Sequence, residues 1–164
     1  MKKIIGGVLI IVLIALFVWR VYDLNANSFS YENRLHSEQE AFQLENTAEV
    51  SVENAVIIED SDIKKYVEEK NYFKNENEKL LIVQAWSTEK NIGVSDFQLG
   101  YQDFVTLSDI SATSYEYDED KGQYKIMLGF NVPKELLDDE KEFMLVVPSK
   151  YWNKGTRDVV EVSL

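Results

Sequence analysis

Sixteen consecutive apolar residues, Ile4 to Trp19, stand behind Lys2 and Lys3, and no later run in the chain approaches that length. Such a stretch divides the chain before any finer pattern is considered, because a small water-soluble fold has no place for it. As a helix rising about 1.5 Å per residue it reaches roughly 24 Å, somewhat less than a ~30 Å hydrocarbon core. Trp19 and a snorkelling Arg20 extend the fit at the interface. A basic start and an apolar core are common to cleaved signal peptides and to uncleaved anchors, and only the former need small residues at the exit. The exit here is Leu16, Phe17, Val18, Trp19 and Arg20, and the nearest alternative, Leu24-Asn25-Ala26, begins with a large residue. The pattern therefore predicts a signal-anchor over residues 1–20. The chain has no cysteine, which excludes a lipid-modified N-terminal Cys and any disulfide.

Charge gives the orientation. Lys2 and Lys3 precede the run and no acid occurs among the first 20 residues, so the N-terminus is expected in the cytoplasm and the C-terminal part outside the cell membrane. Beyond the anchor, 14 Lys and Arg face 29 Asp and Glu, a formal charge of −15. Phosphate backbones and anionic lipid surfaces repel such a domain, and a nucleic-acid partner is not expected.

Val21 to Ala48 is rich in Asn, Ser, Glu and Gln and has neither Gly nor Pro, which reads as an extracytoplasmic stalk over residues 21–48. Val21, Leu24, Tyr31, Leu35 and Phe42 follow a three-and-four spacing that a short helical continuation could also use. From Glu49 the period changes. Val50, Val52, Asn54, Val56 and Ile58 alternate with polar or weakly apolar neighbours, as in a half-buried strand. Asp60 to Lys70 carries a short helical pattern through Ile63, Tyr66 and Val67.

Leu80 to Trp86 is continuously apolar and too short for an ordinary helix, so it is expected as a central strand. Further strands are expected over Phe97 to Tyr101, Phe104 to Leu107, Phe143 to Val147 and Val159 to Leu164. Ser114 to Tyr117 and Gln123 to Val132 flank a turn in which Gly122 would supply positive φ, and Pro133 ends the second strand. The strand spacing predicts a mainly β, antiparallel sandwich over 49–164 with one short helical insertion.

Three segments, Lys79-Leu80-Leu81-Ile82-Val83, Ser95-Asp96-Phe97-Gln98-Leu99 and Gly129-Phe130-Asn131-Val132-Pro133, resemble the immunoglobulin-like, telokin-like domains of secreted and membrane-anchored Gram-positive bacterial proteins. The resemblance runs over about Phe42 to Leu164. It departs from the usual pattern at Asn91, which comes late, and at Asp120-Lys121-Gly122, which replaces a Pro-Gly turn. It implies an Ig-like sandwich and supplies no catalytic residue, since the function of these domains is mostly unknown.

The residues that carry chemistry are sparse. His36 is the single histidine, falls within the expected stalk and has no cysteine to join it, so no nucleophilic triad or histidine zinc site is expected. No glycine pattern outside the anchor could cradle a phosphate. Neither catalysis nor a cofactor is expected. The acidic turn with Glu116, Asp118 and Asp120 offers oxygen ligands of the kind Ca²⁺ takes, without the closing Glu of a calcium loop. Aromatics with a polar edge suit protein interfaces, and Tyr151, Trp152, Tyr115 and Tyr117 are the candidate partner-binding residues. Trp86 is expected in the core. The sequence as a whole points to an anchored protein that binds an envelope protein or peptide. Capture of a cationic peptide and a calcium- or ligand-binding module are the alternatives.

Overall fold

The computed structural model describes residues 14–21, 31–45, 48–67, 71–137, 141–153 and 155–164. The chain divides into two units, Met1–Glu32 and Asn33–Leu164. In the first, residues 14–21 are helical. Among the described residues no helix is long and apolar enough to cross a membrane, and the expected span lies mostly outside them, at residues 4–13.

The second unit is mainly β, two five-stranded sheets around a shared core. One sheet contains β1 (Glu32–His36), β10 (Thr156–Ser163), β9 (Glu142–Val146), β5 (Gln98–Tyr101) and β6 (Phe104–Leu107), in that spatial order. The other contains β2 (Ala41–Gln43), β3 (Glu49–Ile58), β4 (Glu78–Ser87), β8 (Gln123–Pro133) and β7 (Asp109–Asp118). The pairs β2–β3, β3–β4, β4–β8, β7–β8, β5–β6, β5–β9 and β9–β10 are antiparallel. A mainly β sandwich, as the strand spacing implied, is what forms.

The inter-sheet core is built by alternation. Leu81, Val83 and Ala85 of β4 and Ile126, Leu128, Phe130 and Val132 of β8 meet Leu99, Phe143, Leu145, Val160 and Val162 of the opposite sheet. Each fully buried aliphatic or aromatic side chain here stabilises the fold by about 1.5–3 kcal/mol relative to exposure. The continuous apolar run of β4 has its reason on the other face, where Leu80 and Ile82 join Ile58 and Ala112 in a second cluster. Ile63, Tyr66, Val67 and Tyr72 from the β3–β4 connection cover that cluster. Tyr72 pins the connection down by donating its hydroxyl to Asn131 Oδ1 at 2.7 Å.

Three expectations need correction. The stalk is folded in its second half, where β1 and β2 each join a sheet. These are short strands at sheet edges, β1 exposing four of its five residues, so their polar composition reads as tether. The three-and-four spacing is correspondingly not a helical face, since Leu35 is exposed on β1 while Phe42 is buried on β2. The helix expected after Asp60 is a single 3-10 turn, Ile63–Lys65, and residues 68–70 lie outside the described set.

The third correction concerns β3. A bulge between Val52 and Asn54 inserts one residue against β4, which exchanges the two faces of the strand. Val50 and Val52 point into the core before it, Ala55 and Ile57 after it, and Val56 is left exposed.

Candidate functional site

The candidate site lies where the β7 edge of one sheet meets the loop between β4 and β5. A second bulge, between Asp109 and Ser114, breaks the register of β7 against β8. Asp109 builds it: its Oδ1 accepts the Ser111 N–H at 2.9 Å, and its backbone carbonyl accepts the Thr113 hydroxyl at 2.7 Å. The result leaves Ile110 73% exposed. Tyr115, two positions past the bulged segment, pairs with core residue Ile126 and so faces the sandwich side of β7, yet on this edge strand it is 46% exposed.

Opposite these residues the loop is shaped by Gly93, at φ +73° in the left-handed region. A Cβ at Gly93 would lie 3.0 Å from Lys150 Cε and Nζ, so glycine serves both the backbone and the packing. Lys90 reaches across with its Nζ 4.6 Å from the Tyr115 ring centroid, a cation–π contact. Lys90, Asn91, Gly93, Ile110, Tyr115 and Lys150 thus line a groove of about 480 Å³. Its two charged lining residues are both lysines, although the chain beyond the anchor carries a formal charge of −15.

The other aromatic candidates divide. Tyr117, on the same face as Tyr115, is 52% exposed and leans on Tyr124 at 4.9 Å. Tyr151 is only 9% exposed and belongs to the inter-sheet core, and Trp152 packs against the same core. The Trp152 indole N–H donates to the Val147 carbonyl at 2.8 Å, and the Arg157 guanidinium sits 5.6 Å from its ring. The loop expected to present Tyr151 and Trp152 instead closes the sandwich edge with them. Trp86 is buried as expected, but on the outer face of β4, beneath Lys121 at 3.5 Å, with its N–H donated to Glu53.

The acidic turn is committed locally. Asp118 Oδ1 accepts the Lys121 N–H at 3.0 Å and the Asp118 carbonyl accepts that of Gly122, which has the positive φ anticipated. Glu116 stands opposite Lys125 across the β7–β8 pair, and Asp120 follows in the turn. Among the described residues no group of three or more His, Asp or Glu is placed to hold a metal ion.

A polar cluster that the sequence did not reveal sits at another edge of the sandwich. His36, expected in the stalk, is buried on β1 with Nε2 2.7 Å from Asp158 Oδ1 of β10. Arg34 clamps the same carboxylate with both Nε and Nη2, at 2.5 and 2.7 Å. Phe42 stacks on the imidazole at 4.0 Å. Burial works to raise the Asp158 carboxyl, but the Arg34 and His36 hydrogen bonds and charges outweigh it and hold the group below the usual carboxylate range. The pair has the form of a base and its orienting acid. However, the second imidazole nitrogen, Nδ1, is buried without a hydrogen bond and faces Glu40 Oε1 at 3.6 Å rather than a nucleophile. Comparison with protein-family models, curated proteins and solved structures finds no match to this chain.

Proposed function

We propose that the protein is held in the cell membrane by its N-terminal apolar segment, with an Ig-like β-sandwich outside, and that it works by docking a partner protein rather than by catalysis. The docking surface is the groove between β7 and the β4–β5 loop, and its occupant is an extended acidic segment of the partner that also carries an apolar side chain. One observation carries this reading. Exposed Tyr115 and Ile110 share the groove with two lysines, on a domain whose remaining surface is strongly acidic. Aromatic and apolar contact supplies affinity, and the lysines select and steer a carboxylate-bearing chain. The membrane part rests on the uninterrupted run Ile4 to Trp19 and its basic flank.

A cationic peptide is the wrong complement for this groove. Reversing the groove charge with Lys90→Glu and Lys150→Glu tests the choice, with crosslinked partners compared in intact cells. Loss of the partner captured by the unaltered protein, together with weaker capture at high salt, supports an acidic occupant. An unchanged captured set, or a gain in capture, contradicts it.

A further inference from the structure

The outer strand of a sheet offers unpaired N–H and C=O groups, and folded chains guard such strands with charge, proline or a bulge. Here β1 carries Glu32 and Arg34, and β7 is broken by the bulge after Asp109 and bears Glu116 and Asp118. The outer strand β2 shows solvent only Ala41 and Gln43, on either side of buried Phe42. β6 has no such device. It reads Phe104-Val105-Thr106-Leu107, without charge, proline or register shift, and leaves Val105 62% and Leu107 57% exposed. Among the described residues it pairs with β5 alone.

The register fixes which of its backbone groups stay available. The Ser108 N–H donates to the Phe97 carbonyl at 3.0 Å, one step beyond the Gln98–Leu107 pair. Bonded and non-bonded pairs alternate along an antiparallel ladder, so Phe104 and Thr106 turn their N–H and C=O toward β5 while Val105 and Leu107 turn theirs away. The Leu107 carbonyl accepts the Thr106 hydroxyl at 3.3 Å and keeps a second lone pair. The residues with outward backbone groups are thus the two with exposed apolar side chains.

We propose that β6 is an interface between two copies of this chain, joined as antiparallel edge strands about a two-fold axis at Thr106. Val105 of each copy then lies opposite Leu107 of the other, and each such pair exchanges both of its N–H···O=C bonds. Their side chains share one face of the joined sheet, where each covers its opposite number.

Charge selects the occupant. The chain beyond the anchor carries a formal charge of −15, so two copies repel on approach unless they meet at a neutral surface. β6 is neutral, and beside it a groove formed by Gly100, Val105, Met144 and Val146 carries Glu142 and Arg157 in balance. Asp103 lies in the turn before β6, and Asp109 is bound to the Ser111 N–H and hydroxyl, so neither carboxylate enters the paired run. A basic partner would be drawn to the acidic surface elsewhere, and an acidic one to Lys90 and Lys150. An identical neutral, apolar edge is the match for β6.

The absence of cysteine from the chain supplies the test. Full chains bearing Val105→Cys and full chains bearing Leu107→Cys, both at exposed positions, are mixed in detergent under reducing conditions and then mildly oxidised. Opposed residues in this register have Cα atoms about 5.5 Å apart, within disulfide reach, whereas identical positions lie diagonally and beyond it. The expected product is the mixed disulfide dimer, in roughly tenfold excess over the geometric mean of the two like-with-like dimers, against about twofold for random encounter. A statistical mixture, a predominance of like-with-like dimers, or thiols that react with a small reagent and yet form no disulfide would each overturn the proposal.

Discussion

Ala112 of β7 occupies the space that a side chain on Gly129 of β8 would need, for a Cβ there would lie 2.4 Å from the Ala112 Cβ and 2.5 Å from its carbonyl oxygen. The bulge of β7 depends on this close approach, which the Thr113 hydroxyl completes by accepting the Gly129 N–H at 3.3 Å. Gly129→Ala is therefore expected to force β7 off β8 and cost about 1–3 kcal/mol, read as a lower urea midpoint. A variant as stable as the parent would show that the two strands do not pack this closely.

Asp158 is expected to be the polar residue the sandwich can least spare. It is 2% exposed and takes three hydrogen bonds from Arg34 and His36. Asp158→Ala leaves an unpaired buried imidazole, while the guanidinium can turn to water, so a loss of about 2–3 kcal/mol is expected, at the low end for a broken buried pair. Chemical denaturation at neutral pH measures it, and a change under about 0.5 kcal/mol would contradict the cluster's structural role.

The same carboxyl sets an acid limit. Its folded value is depressed below 3.8, so its contribution is fully present above that unfolded value and is lost as pH falls through the folded one. Stability is expected to decline below about pH 4, and this part of the decline should vanish in Asp158→Ala. An identical acid profile for the two proteins would contradict the assignment.

Two of the candidate tyrosines, Tyr115 in the groove and Tyr151 outside it, should behave oppositely. Tyr151, buried in the core, is expected to cost about 3–5 kcal/mol on replacement by alanine, whereas Tyr115→Ala should change stability by no more than about 1 kcal/mol, the cation–π contact with Lys90 being exposed. Thermal melting of the two variants separates a structural from a surface role, and equal losses would contradict the placement of Tyr115.

Much of the sandwich could be read from period. The alternation of β8, β9 and β10 and the unbroken apolar run of β4 are the marks of strands pressed on one or both faces, and each forms where the pattern puts it. Period fails where burial is slight or parity changes. β1 and β2 lie at sheet edges and bury only His36 and Phe42 between them, too little to show a strand period, and the bulge at Val52 and Asn54 reverses a face without a glycine to announce it.

The sites were legible only in pieces. Tyr115 and Tyr117 stood out as aromatics on a strand, but Lys90, Ile110 and Lys150 reach the same groove from three separate segments through the fold alone. Tyr151 and Trp152 suggested an exposed loop because local sequence does not show that the core reaches under it. His36 and Asp158 are separated by 122 positions, and the only hint available was that a lone histidine needs a partner.

The proposed function requires the groove beside Tyr115 to receive an acidic partner segment. A photoreactive residue placed at position 115, compared with one at the exposed Val56 of β3, tests it directly in intact cells. The account predicts a discrete crosslinked species from position 115 that fades when Lys90 and Lys150 are reversed in charge, and none from position 56. Equal crosslinking from both positions, or a species at 115 indifferent to the two lysines, would contradict it.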